Sequence, residues 1–156
     1  MGAREAILSR IRACAPKCVE KPDLTTIAKI SFEDRVAKFA EMVAVVGGKV
    51  EYVDEKSVET ITEPLYRSEL AVAENGAVWL PCKGDRRDIF ACEHLQIVVD
   101  AADVVDTMHD AMARIELEGY EFGVFVSGPS KTADIEQALV LGAHGAMHLT
   151  VYVVKS

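Results

Sequence analysis

A run of small, hydroxyl-bearing and basic residues follows the apolar segment Phe122–Val126 and could bind an anion. The run consists of Ser127, Gly128, Pro129, Ser130, Lys131 and Thr132. A helix is predicted to begin near Thr132, and the free backbone amides at a helix start carry about half a positive charge. Together with Lys131 and the neighbouring hydroxyls, these amides could hold a carboxylate or a phosphate. The alternative interpretation is that Ser130 or Thr132 only caps the helix.

Two carboxylates, those of Asp134 and Glu136, lie in the predicted helix Thr132–Leu141. Residues two positions apart do not share a helix face, so this pair is not suited to act together as an acid and a base. Either the two carboxylates belong to the ligand site, or they stabilise the helix start by complementing its dipole. We include both among the candidate ligand-binding residues.

Glu74 and His144 are the candidate catalytic residues, because each could transfer a proton. Glu74 precedes Asn75 and Gly76, a pair that is typical of a tight turn, and its carboxylate could face the same cleft as Ser127–Thr132. His144 lies beside Gly145 in a predicted loop, and histidine exchanges protons near neutral pH. Asn75, Gly76 and Gly145 join the candidate ligand-binding residues. An Asn-Gly turn and a loop histidine are, however, often without function.

No metal site is predicted from the cysteines. Cys14 and Cys18 are separated by three residues, and Cys82 and Cys92 by nine. Structural zinc usually needs two close ligand pairs, and iron–sulfur clusters need three or four clustered thiols. We therefore expect this chain to hold neither a metal nor a cofactor of its own.

The elements that would position these residues alternate along the second half of the chain. The predicted order of strands and helices is strand Leu95–Val99, helix Asp103–Glu118, strand Phe122–Val126, helix Thr132–Leu141 and strand Leu149–Val154. Such alternation favours a parallel sheet with helices on its faces. In sheets of this kind, ligands bind at the carboxyl ends of the strands.

The first half of the chain is predicted to contain two main helices, the second of them capped by Ser31 and stopped by Gly47 and Gly48. The predicted order is helix Ala3–Cys14, the second helix from Ser31, strand Lys49–Val53 and a short helix Glu55–Ile61. Two strands are predicted around the Asn75-Gly76 turn. We predict a single domain over residues 1–156, with an amino-terminal helix and linker at 1–22 and a core at 31–156.

The composition excludes several classes of protein. The 156 residues include 17 basic and 25 acidic side chains, which gives a net charge of −8. A surface of this sign opposes nucleic acid, whose binding needs clustered Lys and Arg. No apolar run approaches the roughly 20 residues of a membrane span, and the amino terminus lacks the apolar region of a secretory signal. We therefore expect a cytoplasmic protein that binds neither nucleic acid nor membrane.

Three segments of the sequence resemble the LUD-domain family of the lactate-utilisation protein C type, of which this chain would be a short variant. The longest segment runs from Ser127 to Glu136 and continues from Leu139 to Gly145. Ala71–Gly76 is similar to the family's Ala-Glu-Thr-Gly element, with Asn75 in place of the threonine. Cys92–Val99 is similar to the strand that leads to the family's long helix.

This resemblance implies a three-layer α/β fold with a mostly parallel sheet, the type shared by sugar-phosphate isomerases, coenzyme A transferases and folate cyclo-ligases. It also implies a role in the oxidation of lactate to pyruvate, in a system whose other subunits carry iron–sulfur clusters. The first hypothesis is therefore a non-redox accessory subunit that binds a small anionic ligand. Its expected partners are the iron–sulfur subunits, and a second copy of the chain is a further candidate partner.

Two other functions fit the sequence. The chain could be a stand-alone enzyme acting on a phosphorylated, coenzyme A-linked or folate substrate, by analogy with the wider fold. It could also be a purely structural interaction module. Substitution of Ser130 or His144 would leave the function of such a module intact, whereas a nucleotide or a folate would stabilise the enzyme.

Overall fold

The computed structural model describes residues 2–14, 20, 23, 29–62, 64–82, 84–116, 119, 122–135, 138–142 and 144–155. For residues 133–135 and 138–141 it describes the backbone only. The helices are α1 (Ala3–Ala13), α2 (Arg35–Val45), α3 (Glu55–Val58), α4 (Arg87–Phe90) and α5 (Met108–Met112). The strands are β1 (Lys49–Val53), β2 (Leu65–Ser68), β3 (Ala71–Val72), β4 (Ala77–Cys82), β5 (His94–Asp100), β6 (Val104–Val105), β7 (Phe122–Val126), β8 (Lys131–Ile135), β9 (Ala138–Leu141) and β10 (His148–Val154).

A fully parallel sheet with the strand order β1-β10-β5-β2 forms the centre of the fold. Its two middle strands, β5 and β10, are rich in β-branched residues, and Ile97, Val99, Val151 and Val153 are completely buried. Apolar runs of this kind are typical of parallel strands that are covered on both faces. The predicted strands Lys49–Val53, Leu95–Val99 and Leu149–Val154 are thus confirmed, and so is the α/β class of the fold.

A second sheet with the order β6-β3-β4-β7 shares its core with the first. Here β3 and β4 are antiparallel and are joined at Asn75 and Gly76, as the sequence predicts. The strand β7 occupies the predicted range, but it is antiparallel to β4. The expectation that Phe122–Val126 extends a parallel sheet is therefore wrong. This strand pairs with β4, the second strand of the β3–β4 hairpin, rather than with β5 or β10.

The helix α2 packs Phe39 and Val43 completely inside the core. Its cap is Asp34, whose carboxylate accepts a hydrogen bond from the Ala37 amide at 2.9 Å. The expectation that Ser31 caps this helix is wrong. The amide of Phe32 donates instead to the buried Asp106 carboxylate at 2.9 Å, which holds the preceding segment outside the helix.

The predicted helix Asp103–Glu118 is replaced by β6, a short turn and the five-residue helix α5. Val104 and Val105 are buried because they pair with β3 rather than because they face inward from a helix. Thr107 then caps α5, and its hydroxyl exchanges hydrogen bonds with Asp110. Strand pairing and capping have therefore overridden the helical spacing of the apolar residues.

The predicted helix Thr132–Leu141 is also wrong, because the chain forms the antiparallel hairpin β8–β9 there. Lys131 pairs with Leu141 and Thr132 pairs with Val140. The Gly142 amide donates to the Ser130 carbonyl at 3.0 Å and closes the hairpin. Consequently, Ser127–Thr132 is not followed by a helix amino terminus that could attract an anion.

The remaining predictions of the first half are confirmed in part. The helix α1 matches the predicted Ala3–Cys14 and has no buried residue, whereas α3 is shorter than the predicted Glu55–Ile61. Gly47 ends the α2 segment with a φ of 89°. Most of the predicted linker lies outside the described residues. Among the residues that are described, no helix has the length and apolarity that a membrane span requires.

Candidate functional site

A cavity of about 260 Å³ lies along β7 and the loop that follows it. We call it the β7 cavity. Its lining residues are Ile89, Phe90, Leu95, Val124, Phe125, Val126, Ser127, Gly128, Pro129, Ser130, His144, Gly145, Ala146 and Leu149. Five of the candidate residues from the sequence, Ser127, Gly128, Ser130, His144 and Gly145, are thus brought together in its wall.

The position of the β7 cavity in the sheet differs from the expected one. It adjoins the carboxyl end of β7, but Leu95 and Leu149 place it at the amino ends of the parallel strands β5 and β10. The rule for open parallel sheets predicts the opposite edge. It does not apply here because β7 runs antiparallel to its neighbour and brings its polar loop to the amino-terminal edge.

The inner wall of the β7 cavity is apolar. Ile89, Leu95 and Leu149 each have an exposed fraction of 3%, and the half-buried Val124 and Val126 complete the wall along β7. No Asp or Glu side chain of the described residues lines the cavity. A bound molecule would therefore place an apolar part against this wall.

Ser130 and His144 supply the free polar side chains of the cavity. The backbone of Ser130 is occupied, since its amide donates to the Ala146 carbonyl at 2.8 Å. Its hydroxyl, however, makes no hydrogen bond to any of the residues that the structure describes, and neither does the exposed His144 ring. Gly145 lies close to Ser130, and a β-carbon at position 145 would lie only 3.1 Å from Ser130 Cβ. The absence of a side chain at Gly145 thus allows the two backbone segments to come together.

Ser127 connects the cavity to the preceding turn. Its exposed hydroxyl donates to the Asn75 carbonyl at 2.8 Å. The hydroxyl proton is therefore already committed, and the Ser127 oxygen remains able only to accept a hydrogen bond from a ligand.

Two glycines set these loops against the end of α2. Gly128 has a φ of 76°, and a β-carbon there would lie 2.6 Å from the Val46 carbonyl oxygen. Gly76 has a φ of 66°, and a β-carbon there would lie 2.7 Å from the Val43 amide nitrogen. Both positions combine the left-handed conformation with close backbone contact, so both favour glycine. Both glycines therefore position their loops against α2, and Gly128 also lines the cavity.

Lys131 does not line the β7 cavity. Its ammonium group donates a short hydrogen bond to the Val46 carbonyl oxygen, just after the carboxyl end of α2. A cation at this end of a helix complements the negative end of the helix dipole. The structure therefore gives Lys131 a capping role, in place of the ligand contact that the sequence suggests.

Glu74 and Asn75 are likewise occupied within the protein. The Glu74 carboxylate accepts a hydrogen bond from the Met108 amide at 2.7 Å, in the first turn of α5. The Asn75 side chain accepts one from the Ala77 amide at 3.1 Å. Neither residue lines the cavity. The expectation that Glu74 faces the same cleft as Ser130 is therefore wrong, because its carboxylate caps a helix on the other side of the turn.

The remaining candidates belong to the β8–β9 hairpin. Thr132 is half-buried in β8, and Asp134 lies in the same strand, where only its backbone is described. Glu136 lies outside the described residues. The interpretation that Asp134 complements a helix dipole does not hold, since the residue is in a strand.

A groove of about 540 Å³ adjoins the β7 cavity and shares Phe90, His144 and Gly145 with it. The sequence reasoning missed this groove, which also includes Cys92 and Glu93. Burial raises the pKa of the Cys92 thiol, which donates to the Ile89 carbonyl at 3.2 Å. The thiol therefore stays protonated at neutral pH and is a poor nucleophile. In the sequence, the available signal was the apolar pair Ile89 and Phe90 within a polar stretch. Phe90 lines both the groove and the β7 cavity, and Ile89 lines the cavity.

The histidines of β5 and β10 do not form a metal site. His94 and His148 lie at the start of these adjacent strands with ring centroids 6.1 Å apart, and the His94 ring shares a hydrogen bond with the Thr150 hydroxyl at 2.8 Å. Within the described part of the chain, no group of three His, Cys, Asp or Glu residues is arranged to hold a metal ion.

The family profile of the LUD domain matches residues 65–154, which is more than half of the chain. The chain belongs to the LUD domain family. The match includes the β7 cavity's polar residues and the Glu74–Gly76 turn. The resemblance noted from the sequence motifs is thus confirmed.

This LUD domain is similar to Lactate utilization protein C of Geobacillus thermodenitrificans strain NG80-2. The two sequences are 38% identical over 96 residues, which cover 56% of this chain and 40% of that protein. The matched part therefore spans well under half of that relative's length.

The fold is similar to that in the crystal structure of a DUF162 family protein from Deinococcus radiodurans. The TM-score is 0.57, and the match covers 81% of this chain and 99% of that one. With 16% sequence identity, the similarity concerns the fold alone, and it supports the α/β class predicted from the sequence.

Proposed function

We propose that this LUD domain is a non-redox accessory subunit of a lactate-utilisation system and that it binds a small carboxylate ligand in the β7 cavity. The similarity to Lactate utilization protein C supports the lactate part of this proposal. The observation that carries the ligand part is the presence of two polar side chains, Ser130 and His144, in the wall of a largely apolar cavity; neither has a hydrogen-bond partner among the described residues.

The chemistry of the two groups favours a carboxylate. A serine hydroxyl donates one hydrogen bond, and a protonated imidazole donates from either ring nitrogen and carries a positive charge. A hydrogen bond to a charged group contributes about 1.5–3 kcal/mol, roughly twice a neutral one. The apolar wall removes water from the ligand and strengthens both contacts.

Two of the three thiols in the described residues are poorly suited to hold a cluster, and the third, Cys14, is exposed. Cys82 is buried in β4 and donates to the Gly84 carbonyl at 3.2 Å, and Cys92 donates to Ile89. Iron–sulfur clusters are held by deprotonated thiolates, whereas burial raises the pKa of the Cys92 thiol and keeps it protonated. Electron transfer is accordingly assigned to iron–sulfur subunits that associate with this chain.

The proposal is tested in the native host by deleting the gene and restoring it with tagged variants. We expect deletion to stop growth on lactate, and the tagged wild-type protein, purified without oxygen, to bring down brown partners with iron–sulfur absorbance. The Ser130→Ala/His144→Gln double variant should retain the partners but restore growth poorly, because it lacks the ligand contacts.

The matched control is Ser9→Ala/His109→Gln, which removes an exposed serine and an exposed histidine far from the cavity lining. It should restore growth fully. Growth on lactate without the gene would overturn the lactate role, and a colourless, partner-free protein would overturn the subunit role. Full growth with the double variant in the cavity would overturn the ligand site.

A further inference from the structure

We infer that the ligand of the β7 cavity is a carboxylic acid with an aliphatic tail of about four to six carbons, and that lactate itself is too small to fill the site. This inference rests on the proposed carboxylate binding by Ser130 and His144. It adds the chemical class of the rest of the ligand, which neither the family nor its similarity to other proteins assigns.

The size of the cavity carries the first step. Its volume is about 260 Å³. An apolar protein cavity of roughly 150 Å³ takes up benzene, so the β7 cavity has room for a comparable apolar group beside a carboxylate. A three-carbon acid would leave much of the apolar wall in contact with water.

The distribution of polar groups carries the second step. Beyond Ser127, Ser130 and His144, each described residue that lines the cavity has an apolar side chain or none. The deepest part is formed by Ile89, Leu95 and Leu149, all 3% exposed. A sugar phosphate or a nucleotide would bury hydroxyls against this wall without partners, and each buried polar group that loses its hydrogen bonds to water weakens binding.

The charges around the cavity carry the third step. Among the described residues of the lining, His144 is the only basic side chain and none carries a carboxylate. Glu93 lies in the adjoining groove, on which His144 also borders. The negative end of a ligand is therefore accepted on the cavity side of His144, between the imidazole and the Ser130 hydroxyl.

The test is a series of 2-hydroxy acids that share one head group and differ in tail length. Isothermal titration with the full chain would compare lactate, 2-hydroxybutanoate and 2-hydroxyhexanoate, with glucose 6-phosphate as a polar probe. Burial of one methylene contributes about 0.8 kcal/mol, so each added methylene should tighten binding roughly four-fold. We therefore expect 2-hydroxyhexanoate to bind about 60-fold more tightly than lactate.

A cavity-filling variant locates the tail. Val126→Phe places a larger side chain in the cavity wall and should abolish the gain from tail length. Val50→Phe is the matched control, because Val50 is also a half-buried strand valine but does not line the cavity. If Val126→Phe does not fold, the wild-type series by itself still decides the proposal.

The outcomes separate this inference from the proposed function. Equal affinities along the series, or tighter binding of glucose 6-phosphate, would overturn the aliphatic tail. If growth on lactate still depends on Ser130 and His144, the carboxylate site of the proposed function survives that result. If no acid binds the folded protein, both the tail and the carboxylate site fall, while the partner measurement continues to test the subunit role.

Discussion

Two polar loops lie side by side in this LUD domain, the Glu74–Gly76 turn and the Ser127–Ser130 loop. They are joined by the hydrogen bond from the Ser127 hydroxyl to the Asn75 carbonyl at 2.8 Å. Each contains a glycine with positive φ that contacts the backbone near the end of α2. In sequence, both consist of small and polar residues that suit a binding site.

Their hydrogen bonds differ. In the Glu74–Gly76 turn, the Glu74 carboxylate and the Asn75 side chain are both occupied by backbone amides of the protein. In the second loop, the Ser130 hydroxyl lines a cavity without a partner among the described residues. Ser130 is only half-buried, so its hydroxyl can exchange a water molecule for a ligand without first breaking a hydrogen bond within the described part of the protein. The side chains of the first loop are therefore used within the protein, whereas the second loop keeps the hydroxyl on which the proposed ligand site depends.

The largest expected effect concerns the positive-φ glycine that each of the two loops contains. Gly76→Ala and Gly128→Ala should each lower the free energy of unfolding by about 3 kcal/mol, because the methyl group adds left-handed strain of roughly 1 kcal/mol and an overlap with backbone worth about 1–3 kcal/mol. Urea unfolding measures the free energy of unfolding of each variant.

Substitutions at two other glycines distinguish the cost of left-handed backbone strain from the cost of steric overlap. Gly119 has a φ of 88°, but a β-carbon there would meet no atom within 4 Å, and Gly84 has neither constraint. Gly119→Ala should cost about 1 kcal/mol, and Gly84→Ala should stay within about 0.5 kcal/mol of wild type. A Gly76→Ala effect no larger than that of Gly119→Ala would contradict the close packing of the turn on α2.

The second prediction separates stability from binding. Glu74→Ala removes the hydrogen bond to the Met108 amide and should lower the free energy of unfolding by about 1 kcal/mol, as the loss of a helix cap does. The affinity for 2-hydroxyhexanoate should not change. Glu33→Ala, at an exposed glutamate, is the control and should leave both quantities unchanged. A large loss of affinity in Glu74→Ala would restore this residue to the ligand site.

The third prediction concerns Lys131, the basic residue that the sequence assigns to anion binding. Lys131→Met should lower the free energy of unfolding by about 0.5 kcal/mol, because it removes a cation from the carboxyl end of α2. Ligand affinity should stay within about two-fold of wild type. Lys56→Met changes an exposed lysine elsewhere and provides the control for net charge. A ten-fold loss of affinity specific to Lys131→Met would show that the anion contacts this lysine.

The smallest effect concerns Asp110, which lies in α5, the helix that Glu74 caps. Hydrogen bonds from Lys29 and Thr107 lower the pKa of the Asp110 carboxyl in α5, and Lys29 lies 2.9 Å from it. Because the folded pKa lies below the unfolded value of about 3.9, this stabilisation is complete above that pH and is lost as the pH falls through the folded pKa.

The melting temperature of Asp110→Asn should therefore lie slightly below that of wild type at pH 7, and the two should converge as the pH falls below about 4. Because the ion pair is solvent-accessible, added salt should also reduce the difference. A difference that persists unchanged at a pH of about 2.5, well below the unfolded pKa, would mean that the shape of the side chain, and not its charge, is responsible.

Much of the sheet was predictable because its signals are local. The strand β1 matches its predicted range, and β7 does as well. The Asn75-Gly76 turn also forms where the sequence indicates. The two predicted helices at 103–118 and 132–141 were wrong for a common reason. Their segments have helical spacing, but partners elsewhere in the chain, β3 for Val104–Val105 and the opposite strand for Lys131–Ile135, take the backbone hydrogen bonds.

The sequence by itself determined the α/β class, the family and the short list of polar residues near the site, because strand runs, turns and motifs are properties of neighbouring residues. Only the tertiary structure decided which of those residues are free. The partners of Glu74 and Lys131 are the Met108 amide and the Val46 carbonyl, and both lie far away along the chain. A side chain is available to a ligand only when the fold brings no such partner to it, and within the described part of this protein that condition is met at Ser130 and His144.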